Sequence, residues 1–227
     1  MYRKHYALLM TVSLLCGLEF LQTGMLAFAS VPIRGEISAS PEEYSLVAAL
    51  YACVAVVVIS QQRWLTERIG WQKYMMGSIG IFIVGALICS FSHDLTVFAT
   101  GRVIMALGGA SFMTASRIMV NLIPPGPERF VGIKFFAMGL ASGTAAAPLI
   151  ASSAVTHDTW QLIFWGMILV AIIAAMLSMT FLPKDLHPID ERSSTSPERI
   201  LFLALASFFI LYLLQRSYYD FYNRSLS

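Results

Sequence analysis

Charged residues are scarce in this sequence of 227 residues, of which 12% are Asp, Glu, Lys or Arg and 57% are hydrophobic. A soluble domain of similar size carries about 25% charged residues, so the composition excludes an ordinary soluble protein. The net charge of +2 gives no indication of a nucleic-acid partner. The composition predicts an integral membrane protein, because a surface that faces lipid needs no charges.

Groups of residues that perform chemistry are also missing. Cys16, Cys53 and Cys89 all lie inside apolar runs, which favours small apolar fillers over a disulfide framework. The four histidines are scattered over loops and segment ends, without metal-ligand spacing. The sequence contains neither a phosphate-binding glycine loop with lysine nor a Ser-His-Asp set. We therefore predict no cofactor, no metal site and no enzyme activity.

The sequence contains many long apolar runs, and each run predicts a segment that spans the membrane. Each span is expected to be a helix, because backbone polar groups cannot stay unpaired in hydrocarbon. A span needs about 20 residues, so the second and seventh runs are short. The first run is too long for the apolar core of a signal peptide and is predicted to span. The runs are Tyr6–Val31, Ser45–Ser60, Tyr74–Phe91, Leu95–Met113, Phe135–Ala154, Leu162–Leu182 and Ile200–Leu214.

The segments between the runs predict helix ends and orientation. Ser40-Pro41-Glu42-Glu43 has the pattern of a capping box, and Pro124-Pro125-Gly126-Pro127 predicts a break. Most Lys and Arg residues would share one side, which the positive-inside rule assigns to the cytoplasm together with the N-terminus. These residues are Arg3, Lys4, Arg63, Arg68, Lys73, Arg117, Arg129, Lys134, Lys184, Arg192 and Arg199, against Arg34, Arg216 and Arg224 outside.

Two ionisable residues lie inside predicted spans: Glu19 near the middle of the first and Arg102 in the fourth. Such groups are costly in a bilayer and usually face a cavity or a partner. They predict a pair that handles protons or binds substrate. The alternative is an arginine that reaches the outer interface and a neutral, hydrogen-bonded glutamic acid.

The fifth predicted span repeats small residues at four-residue steps, which places them on one helix face. Gly139, Gly143, Ala147 and Ala151 form this face, and Pro148 predicts a bend or weak point on the same helix. The pattern is compatible with tight static packing and with a deformable helix between two moving units.

The segment Gln61–Lys73, QQRWLTERIGWQK, predicts a charged cytoplasmic loop between the second and third spans. The segment is either an ordinary positive-inside loop or a functional one. Its TERIGWQK part resembles the signature loop of the major facilitator superfamily, with Glu67, Arg68, Gly70 and Lys73 at or beside the acidic, basic and glycine positions.

Four further segments strengthen this resemblance and are similar to the fourteen-helix drug:proton antiporter branch. Arg102 and Gly108 match the family's arginine-glycine motif of helix four. Gly139, Gly143 and Pro148 match the antiporter motif of helix five, where Ala147 replaces a glycine. The segments Thr159–Phe164 and Leu213–Ser225 resemble the entry to helix six and the end of the first linker helix.

The resemblance implies an all-α polytopic membrane protein, with the six-helix N-terminal bundle of the superfamily plus one further transmembrane helix. Residues 1–183 would form the bundle as two inverted three-helix repeats. Residues 184–199 would be a cytoplasmic linker, and residues 200–227 a seventh helix with a short tail.

The function implied by the resemblance is proton-coupled efflux of small amphipathic drugs or metabolites across a bacterial inner membrane. Arg102, and less directly Glu19, would serve proton coupling. Glu67 and Arg68 would form a cytoplasmic gate lock with Arg117. Implied partners are protons, a small-molecule substrate, and a periplasmic adaptor or complementary second half. The alternative is a truncated, transport-inactive fragment or a half-subunit that needs a second chain.

Overall fold

The computed structural model describes residues 2–121, 123–156, 160–182, 199, 202–203, 205–210 and 212–213. Within these ranges the chain is helical and has no strand. The helices are α1 (Tyr2–Phe28), α2 (Ser30–Glu36), α3 (Pro41–Ile69), α4 (Trp71–Ser90), α5 (Leu95–Gly109), α6 (Phe112–Asn121), α7 (Pro127–Thr156) and α8 (Gln161–Phe181).

Six candidate membrane spans are found in the described residues, which confirms an all-α polytopic membrane protein. The spans are α1, α3, α4, α5 with α6, α7 and α8. Outward-facing apolar side chains on α8, among them Leu169, Met176 and Met179, are more than half exposed. Such a surface suits lipid and would be an aggregation hazard in water.

Two predicted boundaries were wrong because hydropathy does not report where a helix ends. The second span is long, since α3 runs for 29 residues to Ile69. The predicted Gln61–Lys73 loop is therefore mostly helix, and Gly70 alone separates α3 from α4. Its φ of 86° and ψ of 150° lie in a region that essentially only glycine adopts.

The predicted helix signals at two other places are confirmed. Ser40 and Glu43 form a reciprocal capping box, with Ser40 N donating to Glu43 Oε2 at 2.8 Å and Glu43 N donating to Ser40 Oγ at 3.2 Å. The proline-rich break separates α6 from α7, which begins at Pro127. Proline suits the first helical position because its missing N–H would have no partner there.

The fourth span is interrupted at Ala110 and Ser111, between α5 and α6. The hydrogen bond Ala110 N–Ala106 O closes the end of α5, and Ala115 N–Ser111 O opens the start of α6. Beside the interruption, a side-chain hydrogen bond connects α6 to α1, since Ser116 Oγ donates to the Val12 carbonyl oxygen at 3.1 Å. The result is one span with a two-residue interruption rather than two separate spans.

The helices surround α1, which packs most extensively on α7 and also contacts α6 and α8. On the other side, α4 packs on α5 and α8, and α3 packs on α5. Aromatic side chains fill one end of this arrangement, where Phe98 makes edge contacts with Trp160 and Phe164 at centroid distances of 6.3 and 6.2 Å. The buried core therefore lies between α1, α4, α5 and α8.

The predicted small-residue face of α7 lies against α1. A Cβ atom added at Gly139 or Gly143 would come within 3.0 Å of backbone atoms of Ser13 or Gly17. Ala147 and Ala151 continue the same seam and are fully buried. Small residues let the two backbones approach this closely, and interhelical packing gains from that approach in lipid.

Several predictions fall on parts of the chain that the structure does not describe. They concern the linker 184–199 except Arg199, and the tail 214–227 with its resemblance to a linker-helix end. In the range of the predicted seventh helix, residues 202–203, 205–210 and 212–213 are helical. Phe208 stacks on Tyr212 there, with centroids 6.1 Å apart.

Candidate functional site

Arg102 of α5 lies inside the bundle, with 7% of its surface exposed. Its Nη1 donates to Gln22 Oε1 of α1 at 3.0 Å and also lies 3.7 Å from Met105 Sδ. The guanidinium carbon stands 4.3 Å from the centroid of the Tyr51 ring of α3. Three helices therefore hold one intramembrane cation.

Gln22 and Tyr51 connect this cation to Glu19. The Gln22 amide nitrogen donates to Glu19 Oε2 at 3.1 Å and to the Tyr51 hydroxyl oxygen. The Tyr51 hydroxyl in turn lies 3.3 Å from Glu19 Oε1, to which it can donate. Among the described residues, no ion pair of 4.0 Å or less joins Glu19 directly to Arg102. Glu19 and Arg102 are therefore coupled through shared neutral partners.

These contacts offset the cost of placing Arg102 in the membrane. An arginine at the centre of a transmembrane helix costs about 2.5–3.5 kcal/mol on insertion scales. A desolvated cation–π contact contributes about 2 kcal/mol, and a hydrogen bond to a charged group about 1.5–3 kcal/mol. The two contributions together match the insertion cost, so the observed partners suffice to keep the cation inside.

The site opens onto a cavity of about 470 Å³ between α1, α3 and α5. Its wall is mostly apolar, and its polar groups include Thr23, Tyr44, Tyr51 and Arg102. A volume of this order, with apolar walls and a few fixed polar groups, is typical of sites for small molecules. The cavity suits an amphipathic molecule that presents an acceptor or a π surface to Arg102.

The charged residues at the α3–α4 junction form a separate group. Glu67 Oε1 accepts from Arg63 Nε at 3.0 Å, and both side chains are about 40% exposed, at 38% and 41%. The Arg68 guanidinium lies 4.6 Å from the Trp64 ring centroid. Arg117 is exposed, and in the described chain Glu67 makes no ion pair with it. The expected lock therefore differs here, since Glu67 pairs within its own helix.

Other predicted residues take different positions. Lys73 is exposed at the start of α4. Pro148 is half-buried, and α7 continues past it without ending. Gly139, Gly143 and Ala147 face α1, so they position the helix that carries Glu19 and Gln22 rather than line the cavity.

The sequence interpretation missed Gln22 and Tyr51 as site residues. Gln22 is fully buried, and its amide bonds three of the side chains that define the site, Glu19, Tyr51 and Arg102. One signal was present: Gln22 lies three residues after Glu19 and therefore on the same helix face. Tyr51 offered none, because a tyrosine within an apolar run is usually ordinary packing.

Comparison of the sequence with those of known proteins identifies relatives of this chain. YebQ of Escherichia coli K12, named an uncharacterized transporter, is 26% identical over 186 residues, which are 80% of this chain and 40% of YebQ. MdtD of Salmonella typhi, named a multidrug resistance protein, is 25% identical over 166 residues, 73% of this chain and 35% of MdtD. The chain thus spans less than half the length of the curated relatives it matches.

The family assignment rests on a match over most of the chain. The model of the Major Facilitator Superfamily matches residues 12–222, a range that includes every side chain of the cavity site. The buried Arg102, the close α1–α7 contacts at Gly139 and Gly143, five of the six spans and most of the first span lie within that range. The chain belongs to the Major Facilitator Superfamily.

Proposed function

We propose that this chain forms one half of a proton-coupled efflux transporter for small amphipathic drugs or metabolites. The observation that carries the proposal is the bonded set of Glu19, Gln22, Tyr51 and Arg102, of which Tyr51 and Arg102 line an apolar cavity. Kinship with MdtD supports drugs as the substrate class, since that relative is named for multidrug resistance.

The site suggests how proton binding could alter substrate binding. A protonated Glu19 would lose acceptor capacity toward the Tyr51 hydroxyl and the Gln22 amide. Both groups also contact Arg102, through the ring face of Tyr51 and the amide oxygen of Gln22. A change at Glu19 would therefore reorient the partners of a cation that faces the cavity.

We also propose that activity needs a second six-helix bundle, which a second copy of this chain supplies when the chain is made alone. The spans α3 and α7 are the least buried of the six. Exposed Ser142, Thr144 and Ser153 on α7 favour a helix partner over lipid, because small and hydroxyl residues are enriched at interhelical contacts. One bundle supplies one wall of a central cavity, and alternating access requires a second unit that moves against it.

Further parts of the proposal rest on sequence patterns. The bundle would consist of two inverted three-helix repeats within residues 1–183. The positive-inside pattern supports a cytoplasmic N-terminus in a bacterial inner membrane. Glu67, Arg68, Gly70, Lys73 and Arg117 would serve gating at the cytoplasmic end. A periplasmic adaptor is the proposed partner on the opposite side.

The test is accumulation of a cationic fluorescent dye in energised cells that make the chain. We expect less dye than in vector controls, and we expect a protonophore to remove the difference. Arg102→Ala should restore accumulation to the vector level. Arg34→Ala is the matched control, because Arg34 is a partly buried arginine whose side chain donates to Ser30 O of its own helix and does not line the cavity.

The outcomes separate the proposal from its alternative. Equal dye in vector cells and in cells making the chain would contradict transport by the chain alone. That result would favour the inactive fragment or the half-subunit that needs a second chain. Efflux that survives Arg102→Ala at normal expression would overturn the role of the buried cation.

A further inference from the structure

A second group of buried polar side chains lies where the fourth span is interrupted, between α5 and α6. Gln62 of α3 is 2% exposed, and its Oε1 accepts from the Thr114 hydroxyl of α6. The Thr114 hydroxyl also lies 3.0 Å from the Ser111 carbonyl oxygen, in the interruption between α5 and α6. Tyr74 of α4 lies beside the side chain of Ser111. We call Gln62, Tyr74, Ser111 and Thr114 the break cluster.

The break cluster has more polar groups than its members can satisfy. The Thr114 hydroxyl has one hydrogen for two neighbouring acceptors, Gln62 Oε1 and Ser111 O. Gln62 Nε2 is buried and has no hydrogen-bond partner among the described residues. Unpaired polar groups are expensive inside a membrane, so this cluster requires further donors and acceptors of small size. Water supplies both in one molecule.

The break cluster lies between the cavity site and the junction of α3 and α4. At one end, Glu19 Oε2 is 3.6 Å from the position of a Cβ atom on Gly109, two residues before Ser111. At the other end, the buried Thr66 follows Gln62 by one helical turn and donates to Arg63 O at 2.8 Å. Polar groups therefore continue from Glu19 toward the exposed Arg63–Glu67 pair along the α3–α6 contact.

The distance that this route covers fits a short chain of water molecules. Tyr51, which contacts Glu19, and Gln62 are both buried residues of α3. Eleven residues of α-helix separate them, or about 16 Å at 1.5 Å per residue. Apolar Val58 lies between them on the buried side of α3, so the water that we infer lies on the α5–α6 side, by Gly109 and Ser111. Protons that cross this stretch need mobile water, because side chains alone leave a gap.

We propose that the break cluster binds water and carries protons between Glu19 and the α3–α4 end of the bundle. This inference rests on the proton-coupled transport proposed above, but its first test does not depend on transport. The ligand class is water or hydronium, held by the Gln62 amide and the hydroxyls of Tyr74 and Thr114.

Cysteine labelling tests the presence of water directly. Gln62→Cys is made in a chain in which Cys16, Cys53 and Cys89 are changed to alanine, and the protein is held in lipid nanodiscs. The reagent is 2-aminoethyl methanethiosulfonate, which reacts with thiolates and therefore only where water reaches the sulfur. Val58→Cys is the matched control, since Val58 is also buried, at 9% exposure against 2% for Gln62, and lies one turn away on α3. We expect Gln62→Cys to react at least about tenfold faster than Val58→Cys.

A second position guards against a variant that does not fold. Thr66→Cys, at 1% exposure, should also react faster than Val58→Cys, because it lies on the same route. Equal slow reaction at positions 62, 66 and 58 would overturn the water site. Equal fast reaction at all three would overturn it as well, because water would then enter along the whole helix face.

Proton movement is measured with a pH-sensitive dye inside liposomes that contain the chain. Gln62→Leu should slow substrate-driven proton movement about tenfold, equivalent to 1.36 kcal/mol in the barrier, while Val58→Ala should not. Unchanged proton movement in Gln62→Leu would overturn the proton path. Failed labelling with intact Arg102-dependent dye efflux would refute the water site and leave the proposed transport standing.

Discussion

The contact between Gly143 of α7 and Gly17 of α1 offers a direct test of the packing. A Cβ atom at position 143 would lie within 3.0 Å of Gly17 backbone atoms, which cannot rotate away as a side chain can. Gly143→Ala must therefore push the two helices apart. Gly80→Ala on α4 is the matched control, because a Cβ atom there meets nothing within 4 Å.

The expected magnitude follows from two opposing effects. Replacement of a helical glycine by alanine stabilises by about 1 kcal/mol, and this gain applies to both variants. Overpacking a close contact costs about 1–3 kcal/mol and applies to Gly143→Ala alone. The difference between the two variants removes the common gain. We expect Gly143→Ala to be about 1–3 kcal/mol less stable than Gly80→Ala.

The measurement is the free energy of unfolding by steric trapping in bicelles, with thermal unfolding as a second readout. For a chain of this size, 1 kcal/mol corresponds to a shift in Tm of about 2–4 °C. Gly139→Ala should behave like Gly143→Ala, because Gly139 is equally close to the Ser13 backbone. The double variant should cost less than the sum, since one helix displacement relieves both contacts. Equal stability of Gly143→Ala and Gly80→Ala would refute the close seam.

Three other changes have defined outcomes. Gln22→Leu leaves the buried Arg102 without its oxygen acceptor and should lower the free energy of unfolding by about 1.5–3 kcal/mol, the range for a hydrogen bond to a charged group, whereas exposed Thr23→Val should change it little. Gly70→Ala should cost about 1–3 kcal/mol in the same assay because of the backbone conformation at that junction, and Gly35→Ala, where a Cβ atom meets nothing within 4 Å, should cost less. Glu36→Ala removes the acceptor of Trp160 Nε1 and Gln161 Nε2 and should cost about 1 kcal/mol, with a shift in tryptophan fluorescence; unchanged fluorescence would contradict this contact.

The six spans found in the described residues could be predicted from the sequence because membrane insertion depends on local hydropathy over about 20 residues. The capping box at Ser40 and the break before Pro127 were equally local, since each depends on neighbours within one helical turn. The end of α3 could not be placed in this way. Polar residues after Ser60 are compatible with loop and with helix alike, and α3 ends only where Gly70 takes a positive φ.

The sequence by itself determined that Arg102 and Glu19 are costly in a membrane, and that α7 has one smooth face. Hydropathy and side-chain volume carry both conclusions without any tertiary contact. Only the tertiary structure decided that Gln22, 80 residues from Arg102, stands between the two charges. It also decided that the Thr114 hydroxyl donates to Gln62 Oε1 beside the interruption between α5 and α6. The rotation of each helix about its axis sets such pairings, and that rotation depends on the packing of all six spans together.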